Sequence, residues 1–238
     1  LLFKISLILL LFLLPFVGSV IAKDSMMASV DLNLETNVLK KELIKISSIY
    51  VFFVSISLLI FFLGLSGLMK IIKRLLWREP IFLKDDFFSG IKENGFYFVI
   101  YGFILSLLFT ISQLFPYLTN GILQYLPTVL NIAFFYPVIL TILFLVCFYK
   151  NRFFSNIKLG IEFYIKNPLF VFLFIIFMFG MFQIKYIEYI YIKYLIIGIF
   201  IIIFLPLFIL IMFEYYTFKF DELINKERFP NFYKKGIK

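Results

Sequence analysis

Apolar residues along this chain gather into long runs that are hydrophobic on every face, not into the one-sided stripes of a water-soluble fold. Six runs stand out: Ile5–Ala22, Ile46–Met69, Phe96–Phe115, Val129–Tyr149, Pro168–Ile184 and Tyr194–Phe213. Each is about 17–24 residues long, against the roughly 20 needed to cross a ~30 Å hydrocarbon core as a helix. Inside lipid the backbone must satisfy its own N–H and C=O groups, which leaves helices and closed barrels. Barrel strands alternate apolar and polar positions over roughly 10 residues, and these runs do not alternate. The pattern predicts an all-α, polytopic transmembrane bundle forming a single membrane domain over residues 1–238. Short interfacial helices are expected in its cytoplasmic loops, at 70–95 and 150–167, with a cytoplasmic tail at 214–238.

Composition agrees with the pattern and narrows the chemistry. Hydrophobic residues make up 63% of the 238, where a soluble domain has about 45–50%. Histidine is absent and the single cysteine, Cys147, lies inside an apolar run. Cys/His zinc sites, histidine-based triads and an intrachain disulfide are therefore excluded. Neither a phosphate-cradling glycine loop nor a nucleophile elbow occurs. The expectation is a non-enzyme with no catalytic residues, no cofactor and no metal.

Charge sets the expected orientation. Of the 23 Lys and Arg residues, 17 fall before the first run, in the 70–95 and 150–167 segments and in the tail, and 6 in the alternate loops. The richer side is cytoplasmic by the positive-inside rule, so both termini should face the cytoplasm of a bacterial plasma membrane. Lys40, Lys41 and Lys45 are the exceptions, placed outside. Lys4, the apolar run and Val20-Ile21-Ala22 also have the form of a signal peptide, which if cleaved would leave five helices. Retention is the expectation. The net charge of +9 is spread over several membrane-proximal segments, which suits anionic lipid headgroups and not nucleic acid.

Between the runs, residues 23–45 mix acids and bases, with helical spacing over Val38–Ile46. Pro116–Thr128 is an uncharged turn region containing Asn120-Gly121. Phe87-Phe88-Ser89-Gly90-Ile91-Lys92 recurs as Phe153-Phe154-Ser155-Asn156-Ile157-Lys158, each copy following a run and a basic stretch, the arrangement of a parallel repeat.

The 70–95 segment is the most patterned. Ile71, Ile72, Leu75 and Leu76 form one helical stripe, with Lys70, Lys73, Arg74 and Arg78 opposite. Trp77, the only tryptophan, is the expected interfacial anchor. Pro80 should stop this helix, Asp85 or Asp86 cap a second one, and Asn94-Gly95 close it. Four acids interleave with six bases here, more polar patterning than topology alone requires. That makes the segment a candidate partner-docking surface carried by Arg78, Glu79, Asp86, Lys92 and Asn94. The run Arg74-Leu75-Leu76-Trp77-Arg78-Glu79-Pro80 through Asp85-Asp86-Phe87-Phe88 to Lys92-Glu93-Asn94 resembles the signature of the YesL-like family of bacterial multi-pass membrane proteins. The resemblance implies a membrane-embedded helical bundle, with genes often beside carbohydrate uptake systems. It supplies no catalytic residues. The expected function is thus a non-catalytic accessory protein, with ABC transporter subunits or a second copy of the chain as partner.

A stand-alone transporter of a small neutral or lipid-like solute is the alternative. No Asp or Glu sits in the middle of a run, which disfavours proton-coupled carriers. Gly102, Ser106 and Thr110 align on one face of the third run, as helix packing requires. Ser106, Thr110, Gln113 and Asn131, continued by Thr141 and Gln183, would form the solute path, with Pro137 and Pro206 able to free carbonyls for it.

Overall fold

A computed structural model of the chain describes residues 2–31, 35–119, 121–149, 153–183, 187 and 189–226. Seven helices make up the described residues: α1 (Leu2–Ala28), α2 (Thr36–Leu76), α3 (Leu83–Leu114), α4 (Gly121–Phe148), α5 (Phe153–Lys166), α6 (Pro168–Gln183) and α7 (Tyr191–Asn225). Five of them, α1 to α4 and α7, are long and apolar enough to cross a membrane. The chain is a multi-pass helical membrane protein. Helix α6, at the expected Pro168–Ile184 run, has 16 described residues, or about 24 Å of helix.

Several boundaries differ from expectation. The basic segment after Met69 is not a separate interfacial helix: α2 continues through it, unbroken over 41 residues, from Thr36 to Leu76. Nor do Asn94-Gly95 close a second short helix, because α3 passes through them from Leu83 to Leu114. The physical reason is close packing of small residues. A Cβ on Gly90 would stand 2.9 Å from the Cα of Gly67 and 2.9 Å from the carbonyl oxygen of Ser66. At Gly95 one would meet Leu63 at 3.3 Å. The two backbones touch here, so both helices extend past their apolar runs and support each other. The last helix likewise continues beyond Phe213 to Asn225, taking Glu214 and the start of the expected tail with it. Residues 227–238 lie outside the described residues.

The expected cytoplasmic loop at 150–167 is mostly helix α5, folded back along α4. Its buried stripe is Asn156, Leu159, Gly160 and Phe163, and a Cβ on Gly160 would press on the Ile142 side chain at 2.6 Å. Lys158 is exposed on the opposite face, and Lys166 is exposed at the helix end. Two prolines shape the long helices. Proline lacks an N–H and its ring crowds the carbonyl four residues back. The π-helical turns Asn131–Phe135 and Phe200–Phe204 directly precede Tyr136-Pro137 and Leu205-Pro206. For Pro137 the crowded carbonyl is that of Ala133, and the Tyr164 hydroxyl of α5 donates to it. At Pro137, the carbonyl that could have faced a solute is therefore engaged within the fold.

Helix α1 is a packed wall of the bundle: Ile5 and Leu9 are buried, and Phe12 fills the space over Gly64. An aromatic cluster joins α4, α5 and α7, with Tyr216 stacked on Phe144 at 4.3 Å between centroids. Its hydroxyl shares a 2.7 Å hydrogen bond with Thr141. Other polar contacts between helices mark two ends. Lys23 with Gln113 (3.4 Å), Ser47 with Tyr117 (2.9 Å) and Lys193 with Asp24 (2.7 Å) mark one. Lys70 with Glu93, Arg74 with Asp86 (2.8 Å) and Tyr149 with Asn225 (3.1 Å) mark the other.

Candidate functional site

The second of these ends is built around the corner between α2 and α3. The helix closes with two reverse hydrogen bonds, from the Arg78 N–H to the Leu75 carbonyl (3.2 Å) and from the Glu79 N–H to the Arg74 carbonyl (2.9 Å). This Schellman arrangement needs a left-handed residue between them, usually glycine. Here that residue is Arg78, at φ +55°, and Pro80 follows to prevent continuation. A left-handed L-residue costs about 1–2 kcal/mol.

Across the corner, Asp86 accepts the Phe82 N–H at 2.8 Å and so caps α3 from inside its first turn. The same carboxylate receives the Arg74 guanidinium at 2.8 Å, and Arg74 also reaches Glu79 at 3.6 Å and the Pro80 carbonyl at 3.2 Å. One arginine thus ties the last turn of α2, the corner and the first turn of α3. Nearby, Lys70 contacts Ser89 and Glu93 across the glycine crossing.

The five candidate docking residues divide accordingly. Arg78, Glu79 and Lys92 are exposed, and Asn94 is half-buried. Asp86 is buried, its side chain 5% exposed; it holds the corner together and presents nothing outward. Arg78 and Lys92 make no ion pair among the described residues.

Sequence reasoning missed the pocket behind the corner. A cavity of about 200 Å³ lies between the ends of α2, α3 and α4, lined by Lys70, Lys73, Arg74, Trp77, Glu79, Glu93, Asn94 and Cys147. The Lys73 Nζ donates to the Cys147 carbonyl at 2.9 Å and stands 4.5 Å from the Trp77 ring. Lys70, Lys73, Arg74 and Trp77 repeat at three- and four-residue spacing, so their common face was readable. Their meeting with Cys147 was not.

The described residues of the candidate solute path each make a hydrogen bond within or between helices. Ser106 donates to the Phe103 carbonyl (2.8 Å) and Thr110 to that of Ser106 (2.8 Å), both within α3. Asn131 donates to the Leu108 carbonyl (2.8 Å) and to Ser112 (2.6 Å), fastening α4 to α3. Gln113 accepts from Lys23, and Thr141 donates to the Pro137 carbonyl at 2.8 Å. The Gln183 side chain lies outside the described residues. Gly102 carries the packing role, since a Cβ there would stand 2.9 Å from the Phe62 ring. A larger, open-sided space of about 330 Å³ is apolar and lies among residues of α1, α2, α3, α4 and α7, including Phe62, Leu65, Met69, Leu143 and Phe144.

Among the described residues no three His, Cys, Asp or Glu side chains gather as a metal ion would need. Comparison with protein-family models, curated proteins and solved structures finds no match.

Proposed function

We propose that this protein is a non-catalytic accessory protein of the bacterial plasma membrane. In this reading α6 is a sixth membrane element, both termini face the cytoplasm, and the α2–α3 corner docks a partner. The observation that carries it is Arg78. A position whose geometry favours glycine carries a long basic side chain instead, exposed and without an ion pair among the described residues. Backbone strain of this kind points to a function for the side chain that holds it. Glu79 and Lys92 extend the charged surface, and Asp86 keeps it in place. The resemblance of residues 74–94 to the YesL-like family favours a carbohydrate ABC transporter subunit as partner over a second copy of this chain.

Purification from the native membrane in mild detergent, with mass spectrometry of what accompanies the chain, tests the proposal. Transporter subunits are expected in stoichiometric amount, and Arg78→Glu should release them while the protein still inserts. Recovery of the chain without any partner, or association unchanged by Arg78→Glu, refutes the docking role.

The 330 Å³ apolar space favours one form of the alternative, transport of a lipid-like solute over a polar one. Flux of a fluorescent lipid in liposomes containing only this chain would establish it.

A further inference from the structure

Of the three bases that line the pocket behind the corner, two are paired with acids among the described residues. Lys70 is paired with Glu93, and Arg74 with Asp86 and Glu79, whereas Lys73 makes no ion pair among the described residues. An ammonium group has three donors, and one of the three on Lys73 goes to the Cys147 carbonyl. The Trp77 and Phe148 rings flank the same Nζ, at 4.5 and 5.7 Å from their centroids. Two donors thus remain for a ligand in a pocket of about 200 Å³, and over residues 70–95 six bases face four acids. The chemistry that fits is an oxyanion.

Depth decides which oxyanion. Met69 and Leu143 stand four residues before Lys73 and Cys147 on the same two helices, about 6 Å away along each axis. Both line the apolar space of about 330 Å³. An apolar protein cavity of about 150 Å³ takes up a benzene ring, so this one has room for on the order of a dozen carbons. A cation above and a hydrocarbon-sized space below, about one helical turn apart along α2 and α4, match a molecule with a phosphate at one end and an acyl chain at the other. We propose that the Lys73 pocket binds the phosphate headgroup of an anionic membrane lipid, with its acyl chain lying along the faces of α2 and α4 that line the apolar space. Lys73 supplies the ammonium contact, while Lys70 and Arg74 hold the lining acids Glu93 and Glu79 in ion pairs, so that these do not compete for it. The site requires no partner protein, so it stands apart from the docking role of Arg78.

Trp77 is the only tryptophan and sits in the pocket wall, so its emission reports occupancy directly. The full chain in neutral detergent micelles is titrated with phosphatidylglycerol or phosphatidylcholine whose identical acyl chains are brominated next to the ester carbonyl, at the depth of Trp77, where bromine quenches tryptophan on contact. Phosphatidylglycerol is expected to quench at about fivefold lower mole fraction, the factor that one basic residue contributes at a membrane surface. Lys73→Gln should remove that preference, Lys73→Arg should restore it, and Lys84→Gln, an exposed base outside the pocket, should leave it unchanged. Equal quenching by the two lipids, or a preference that survives Lys73→Gln, overturns the proposal. So does a response of Trp77 to inorganic phosphate without any preference between the lipids, because that assigns the pocket to a soluble anion.

Discussion

Replacing Gly90 by alanine probes the contact on which the α2–α3 corner depends. The added Cβ would stand 2.9 Å from the Gly67 Cα, the Ser66 carbonyl oxygen and the Lys70 Cβ. Carbon atoms rest at about 3.5–4.0 Å from one another, so the seam must open by roughly 0.6 Å or more. Two of the three atoms are backbone of a helix buried on all sides from Gly64 to Met69, and no rotamer change relieves them. Overpacking of this kind typically costs about 1–3 kcal/mol, and a backbone obstacle belongs in the upper half of that range. Alanine returns up to about 1 kcal/mol through helix propensity. The net expectation is a loss of about 1–2 kcal/mol, with weakening of the Arg74–Asp86 pair that bridges the same seam. Reversible unfolding in mixed SDS micelles, followed by far-UV circular dichroism, measures it. Gly18→Ala and Gly198→Ala are internal controls, because nothing lies within 4 Å of a Cβ at either site. Those two should be neutral or stabilising by up to about 1 kcal/mol. If Gly90→Ala shifts the midpoint in the same direction as the controls, the close-packed seam is refuted.

Substitutions of Arg78, Asp86 and Tyr164 separate the roles assigned above. Arg78→Gly should stabilise the fold by about 1 kcal/mol, since glycine adopts the left-handed conformation without strain, while abolishing partner recovery; the same unfolding titration and the same purification read the two effects. Asp86→Ala removes both the α3 cap and the partner of Arg74, and should cost about 2–3 kcal/mol, reduced from the fully buried case because Arg74 keeps access to water. Asp86→Asn retains a cap acceptor and should lose about half as much, and equal losses would show that the cap contributes little. Tyr164→Phe leaves the Ala133 carbonyl beside Pro137 without its donor and should cost about 1–2 kcal/mol, whereas Tyr189→Phe, at an exposed hydroxyl, should be silent.

The five long membrane helices were legible because lipid demands apolar residues on every face, and a run of them needs no knowledge of its neighbours. Their ends were not. The stripe of Ile71, Ile72, Leu75 and Leu76 has the same period whether the helix lies along the interface or continues out of the membrane. Only the crossing of Gly67 with Gly90, 23 positions apart in the sequence, selects the second. Asn94-Gly95 carries a stop signal, yet Gly95 is buried and close to Leu63, where its small size serves packing and not a turn. At the site, Pro80 announced the corner and Asp86 the cap. The left-handed Arg78 was hidden, since local rules ask for glycine there, and Lys73 was hidden because its acceptor on Cys147 lies 74 residues away.

The six-residue repeat shows how local sequence and tertiary contact combine. In both copies the second phenylalanine and the lysine are exposed, the serine and isoleucine half-buried, and the fourth residue buried. Each copy lies in the first turns of a helix that packs back on the one before it, α3 on α2 and α5 on α4. The fourth residue is where the copies diverge. Gly90 lets two backbones touch, but Asn156 carries a side chain, and its Oδ1 finds no hydrogen-bond partner among the described residues. The close approach in the second pair therefore moves one turn along, to Gly160, where the neighbour is the Ile142 side chain, and the Val138 carbonyl is the nearest backbone at 3.6 Å. A seam closed on a side chain can give way where one closed on backbone cannot. Gly160→Ala should accordingly cost less than Gly90→Ala in the same titration, despite its nearest contact being shorter by 0.3 Å. The reverse order would mean that Ile142 has no alternative rotamer, and that the two helix pairs are equally rigid.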